Sequence, residues 1–257
     1  MNYFFGFNNN TYRTSLTIPN FSNYKFFKKN VKLYCGYIHN SKWNFEKLEN
    51  VKKDNFFNIE SHNISNSNIF FLATDSQVQN NTNLNSLENF NTLTNTYPEF
   101  RCNLEVNKNN AGFSSYQSEY SFPMTKAKGS VVSSISNLTQ KKQKNFLIFR
   151  NIYYKAIYKN FFGYVVNKEK RKIIKKIELY TNTSNIIEID EEFLDRDHYF
   201  CTDEYVGIPI FLSDYDGQLS FEHTHPPQTY INGSNKKIVS NYKNKILSII
   251  NYEVSSN

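Results

Sequence analysis

Val206-Gly207-Ile208-Pro209-Ile210-Phe211-Leu212, then Ser213-Asp214-Tyr215-Asp216-Gly217, then Gln218-Leu219-Ser220-Phe221-Glu222 is the clearest topological signal in the chain. An apolar run meets a polar turn holding Asp-Gly and returns as an alternating run, which spells a β-hairpin. The same pattern recurs upstream. Phe162 to Val166 turns through Asn167-Lys168-Glu169-Lys170 into Ile173 to Tyr180. Arg101 to Val106 turns through residues 107–112 and resumes at Phe113. Asn145 to Tyr158 is apolar enough for one or two strands, and Asn185 to Ile189 is β-branched. Nearer the N-terminus, Val31 to Ile38 alternates and Ile69 to Ala73 reads as a buried strand. Short strands joined by tight polar turns, without alternating helices, predict a mainly β protein. The expected fold is an antiparallel β-sandwich of the jelly-roll or Ig-like kind.

Two helices are expected beside the strands. Ser41 opens a short helix over 41–53 through Trp43, Phe45, Leu48 and Val51. Ser234 or Asn235 caps a C-terminal amphipathic helix in which Ile238, Tyr242, Ile246 and Ile249 recur at near-helical spacing. Lys236, Lys237, Lys243 and Lys245 occupy its other side, so the apolar stripe is expected to pack on the sheet. The length suits one domain over residues 1–257. Gln77 to Tyr97, rich in Asn, Thr and Ser, is either a long surface loop or a boundary. The boundary reading divides the chain into a small N-terminal part (1–76), the Asn-rich loop (77–97) and a β-rich main body (98–257).

Composition excludes several classes. The 23 Phe and 19 Tyr argue against disorder. The excess of Asn and Lys is what an AT-rich genome encodes, and no function is drawn from it. The apolar start at Met1 to Phe7 is cut short by Asn8-Asn9-Asn10, too early for a signal peptide. No window is apolar enough for a transmembrane segment. Cys35, Cys102 and Cys201 are odd in number and far apart, which predicts reduced thiols in a cytoplasmic protein rather than a disulfide framework. The net charge of +7 is unevenly spread, with a basic block from Lys126 to Lys176 and an acidic block from Glu188 to Glu222. The blocks either attract each other within the fold or present faces of opposite sign to partners.

The segment Phe221-Glu222-His223-Thr224-His225-Pro226-Pro227 could carry chemistry. In an extended chain, residues i and i+2 share a face, so His223 and His225 present two imidazoles to one divalent ion. Zinc, iron or manganese suits such ligands, with Glu222, Asp214 or His198 as candidate third ligand and water in an open position. Gly217, five residues and His223-Thr224-His225 are similar to the opening of the first cupin motif, although Gln228-Thr229-Tyr230 stands where that motif has Glu. His223-Thr224-His225-Pro226 with Ser234 resembles the zinc motif of the JAB/MPN metalloproteases, with Lys237 in place of the ligand Asp. The preferred reading is a pair of histidines hydrogen-bonded in a strand-end loop, with the metal site as the alternative.

Other segments admit paired readings. Asp214-Tyr215-Asp216-Gly217 is similar to part of a calcium loop, and a hairpin turn explains it without an ion. Tyr153-Tyr154-Lys155, Tyr158-Lys159 and Phe161 to Tyr164 interleave rings and lysines as a nucleic-acid platform does, and core packing explains them equally simply. Core packing is the preferred reading, so a nucleic-acid partner is not expected. Tyr116, Gln117 and Tyr120, in Ser114 to Tyr120, form a polar-aromatic strand suited to lining a ligand groove. No Walker loop, G-x-S-x-G elbow or catalytic-cysteine motif occurs. The functional expectation is a non-catalytic binding or accessory domain for a small-molecule, carbohydrate or protein ligand. The alternative is a metal-dependent enzyme, of hydrolase or oxygenase type, centred on residues 223–225.

Overall fold

The computed structural model describes residues 3–19, 31–49, 51–93, 102–108, 112–117, 129–135, 143–193, 197–223 and 236–255. The first half supplies β1 (Tyr3–Phe4), β2 (Tyr12–Pro19), β3 (Lys32–His39), β4 (Lys42–Lys47), β5 (Lys52–Lys53), β6 (Phe56–Ile59) and β7 (Ile69–Ala73). It continues with the short helix α1 (Asp75–Gln79), β8 (Asn103–Lys108) and β9 (Gly112–Gln117). Sheet I has the order β1-β7-β3-β4 and sheet II the order β5-β6-β2-β8-β9. The second half supplies β10 (Val131–Ser134), β11 (Lys144–Arg150), β12 (Asn160–Asn167), β13 (Lys172–Tyr180), β14 (Ser184–Ile189), β15 (His198–Thr202), β16 (Ile208–Tyr215) and β17 (Gln218–His223), then helix α2 (Lys236–Ser255). Sheet III has the order β10-β15-β12-β13 and sheet IV the order β14-β11-β16-β17.

The expected sandwich is therefore not the fold. Four small antiparallel sheets form a four-bladed, propeller-like ring. The reason lies in β11, whose Phe146, Leu147, Ile148 and Phe149 are all buried. Phe146 and Ile148 join a core shared with sheets I and II, while Leu147 and Phe149 join a core shared with sheet III. A two-layer sandwich gives each sheet one inner face. Sheet IV has two, so it needs neighbours on both sides. A third core lies between sheet III and α2, where Tyr164, Val166, Tyr199 and Cys201 meet Ile246, Ile249 and Ile250. The tyrosine hydroxyls of Tyr199 and Tyr242 lie 2.5 Å apart across that contact.

The hairpins stand where the turn chemistry puts them. Asp216 (φ 49°) and Gly217 (φ 88°) take left-handed conformations at the β16–β17 turn, as a two-residue hairpin loop requires. The helix expected over 41–53 is absent. Asn40 (φ 51°) and Ser41 (φ 57°) are both left-handed and join β3 to β4 in a tight turn. Ser41 thus closes a hairpin instead of capping a helix, and Trp43, on the returning strand, is fully buried. At the C-terminus α2 forms as expected, while the caps proposed at Ser234 and Asn235 lie outside the described residues.

Two ion pairs join the opposite charge blocks at the surface of the fold. Lys159 pairs with Glu204 at 3.0 Å and Lys175 with Asp190 at 2.6 Å. Most rings between residues 153 and 164 are used for packing, whereas Tyr158 is 60% exposed and stacks on Tyr180 at the surface (4.9 Å, 8°). Tyr153, Phe161 and Tyr164 are buried, and Phe162 is covered by the Lys176 ammonium 3.7 Å above its ring. Among the described residues, no helix is long and apolar enough to cross a membrane.

Candidate ligand-binding site

The Asn-rich stretch is anchored along sheet I. Thr74 caps α1 in a reciprocal capping box with Gln77. Beyond α1, the Trp43 amide donates to Leu84 O at 2.7 Å, the Leu87 amide to Tyr154 O at 2.9 Å, and the Leu93 amide to Leu72 O at 2.7 Å. Leu87 is fully buried, and Phe90 stacks on Phe45 (5.4 Å, 20°) with its edge against Phe71 (5.3 Å, 81°). The apolar residues Leu84, Leu87, Phe90 and Leu93 come every third position. That spacing lets an extended strap sink one side chain in three and leaves the amides between them on the surface. The period of three was the signal in the sequence that could have located the strap.

Between α1 and the strap lies a cavity of about 390 Å³. Asn80, Asn81, Asn83, Asn89 and Asn91 line it, Gln77, Thr82 and Ser86 complete the polar wall, and Phe90 is its one ring. None of the described lining residues is charged. Gln77 is committed to the scaffold, since its Oε1 accepts from the Thr74 amide at 2.9 Å and its Nε2 donates to Asn91 O at 3.1 Å. Asn81 Nδ2 is buried and has no hydrogen-bond partner among the described residues. Among the described residues, none hydrogen-bonds the side chains of Asn80, Asn83, Asn89 or Asn91. A buried amide donor left unmade costs about 1–3 kcal/mol, which a ligand oxygen would recover.

The residues expected to form other sites fall elsewhere. Tyr116 and Gln117 end β9, Glu222 and His223 end β17, and these two strands lie side by side where sheet II meets sheet IV. The side chains of these four residues, and the whole of Tyr120 and His225, lie outside the described residues. Asp214 pairs with Leu219, four rungs from the Ile210–His223 pair, or about 13 Å along the strand. It accepts from Tyr12 Oη at 2.5 Å, Lys108 Nζ at 2.7 Å and the Gly217 amide at 2.9 Å. Burial works to raise its pKa, but the Lys108 ammonium, the Tyr12 hydroxyl and the Gly217 amide outweigh it and hold the carboxyl below the usual range. His198 is in sheet III, buried, with Nε2 3.1 Å from Asn167 Nδ2 and its ring 5.6 Å from that of Phe193. His198 and Asp214 thus sit in different sheets. Among the described residues, no group of three or more His, Cys, Asp or Glu side chains is placed to hold a metal ion.

No protein-family model, curated protein or solved structure matches this chain.

Proposed function

We propose that the chain is a non-catalytic binding module whose ligand occupies the amide-lined cavity beside α1, and that the ligand is a neutral carbohydrate. The observation that carries this reading is the set of asparagine side chains without partners among the described residues, with the buried Asn81 Nδ2 among them. A primary amide offers a donor and an acceptor side by side. Neighbouring hydroxyls of a sugar offer the same pair, so one amide can satisfy two hydroxyls. The lack of charge on the lining disfavours phosphates, carboxylates and cations as ligands. The hydroxyls of Thr82 and Ser86 have no acid or base beside them among the described lining residues to activate them, which argues for retention rather than turnover. The buried thiols of Cys35, Cys102 and Cys201 support a reducing, cytoplasmic setting.

The test is a titration of isotope-labelled protein with a panel of neutral mono- and oligosaccharides, read by NMR on the asparagine side-chain amides. The expected result is saturable shifts confined to residues 77–91, lost in Asn81→Leu and weakened in Asn89→Ala. Shifts confined to Tyr116, Gln117 and their neighbours would move the ligand to the seam between sheets II and IV. No shift with any sugar would overturn the carbohydrate reading.

A further inference from the structure

Arg150 ends β11 at a junction of chain segments and is fully buried. Its Nη1 donates to Asn66 O and, at 3.4 Å, to Ser184 Oγ, and its Nη2 donates to Asn68 O at 2.9 Å. The ring of Phe5 lies 5.5 Å from the guanidinium carbon. Among the described residues, Nε has no hydrogen-bond partner and no carboxylate pairs with the group. A guanidinium carries five N–H donors and keeps its charge in proteins. Three bonds therefore leave two donors unused, one of them on Nε. Burial pulls the Arg150 pKa down to about 9, which still leaves it charged at neutral pH.

The surroundings are short of acceptors as well as of negative charge. Asn66 O takes donors from Arg150 Nη1, the Ser184 amide at 2.7 Å and Thr183 Oγ1 at 3.0 Å, although a carbonyl has two lone pairs. Ser184 Oγ turns its own proton to Gly6 O at 2.8 Å. Carbonyl dipoles and a ring face ease a buried cation but do not cancel it, and charges held in protein interiors are ordinarily paired.

We infer that a small monovalent anion of the halide class binds against Nε of Arg150 inside this junction and serves as its counter-ion. It would supply the missing charge and the missing acceptor at once. Arg150 is fully buried, with its Nη atoms held by Asn66 O and Asn68 O beside the Phe5 ring, so only a small ion suits the position. The absence of a second cation among the named contacts favours a single charge.

Crystals grown in sodium bromide and measured at the bromine absorption edge test the site directly. An anomalous peak within hydrogen-bonding reach of Arg150 Nε is expected, and a water molecule or no density there overturns the inference. In solution, replacing gluconate by chloride at constant ionic strength is expected to raise Tm by about 2–4 °C in a saturating manner. Arg150→Met is expected to abolish that response. A response that fails to saturate, or that survives in Arg150→Met, also overturns it. Should Arg150→Met not fold, the bromide measurement and the chloride titration of the unaltered protein decide.

Discussion

The hydroxyl of Tyr12 donates to Oδ2 of Asp214 at 2.5 Å, a contact between residues 202 positions apart. Lys108 Nζ reaches the same oxygen at 2.7 Å, so one carboxylate ties β2 and β8 of sheet II to the β16–β17 hairpin of sheet IV. Tyr12 is also packed edge-on against Phe146 (5.1 Å, 66°), which couples this polar contact to the core. Tyr12→Phe keeps the ring and removes the hydroxyl. The expected loss is about 1.5–3 kcal/mol, the usual range for a hydrogen bond to a charged group, read as a lower urea midpoint at unchanged m-value.

The same carboxylate predicts an acid limb. Its folded pKa lies below the usual carboxylate range, where Lys108, Tyr12 and Gly217 hold it against the opposing effect of burial. A depressed folded pKa gives stability that is fully present above the unfolded value, about 3.9, and is lost as pH falls through the folded value. The stability gap between the unaltered protein and Asp214→Asn is therefore expected to be constant from pH 7 to about 5 and to narrow below about 4. Denaturation at a series of pH values measures it. A gap that widens in acid would show that Asp214 is not held as an anion.

How much of this was legible in the sequence depended on whether the signal was local. The β16–β17 hairpin, the β12–β13 pair and the β8–β9 pair follow from turn residues and alternation within each segment. The arrangement of sheets does not, because alternation reports one buried face and β11 has two. The unbroken run Phe146 to Phe149 was the local trace of that double burial. Asn40-Ser41 misled because Ser is both a helix cap and a tolerable turn residue, and only the backbone torsions separate the two. The cavity beside α1 was hidden for a different reason: a polar stretch between apolar anchors looks the same whether its amides face solvent or converge.

Gly207 marks a place where the backbone comes too close for a side chain. A Cβ there would lie 2.5 Å from Arg150 O and 2.5 Å from Phe149 Cζ. The first of these is backbone and cannot rotate away. Gly207→Ala is expected to destabilise by about 1–3 kcal/mol, as overpacked cores do. Thermal unfolding measures it, and a neutral effect would mean that the β11–β16 pair can separate at that end.

The strap over sheet I should divide cleanly into residues that hold it and residues that use it. Phe90→Ala removes a buried ring from contacts with Phe45 and Phe71 and is expected to cost about 3–5 kcal/mol. Asn80→Ala and Asn89→Ala alter exposed side chains, with an expected change within about 0.5 kcal/mol. If these two variants retain full stability yet lose saccharide binding, the amides serve a ligand. If they lose stability instead, the amides belong to the scaffold.

Helix α2 covers Cys201, which gives its docking a chemical reporter. Burial pushes the Cys201 thiol well up from its ordinary value, and burial with the nearby Glu46 charge pushes Cys35 up to about 12. Both are therefore protonated at pH 8 and inert toward thiol reagents while the fold is closed. Ile250 is fully buried in the cluster that joins α2 to sheet III, whereas Cys35 belongs to the core of sheets I, II and IV. Ile250→Ala is expected to weaken the α2 contact by about 2–5 kcal/mol. If α2 opens as a unit of its own, labelling of Cys201 accelerates while labelling of Cys35 keeps its original rate. Equal acceleration at both thiols would instead place α2 within a single cooperative unfolding event, and site-resolved mass spectrometry of labelled peptides separates the two outcomes.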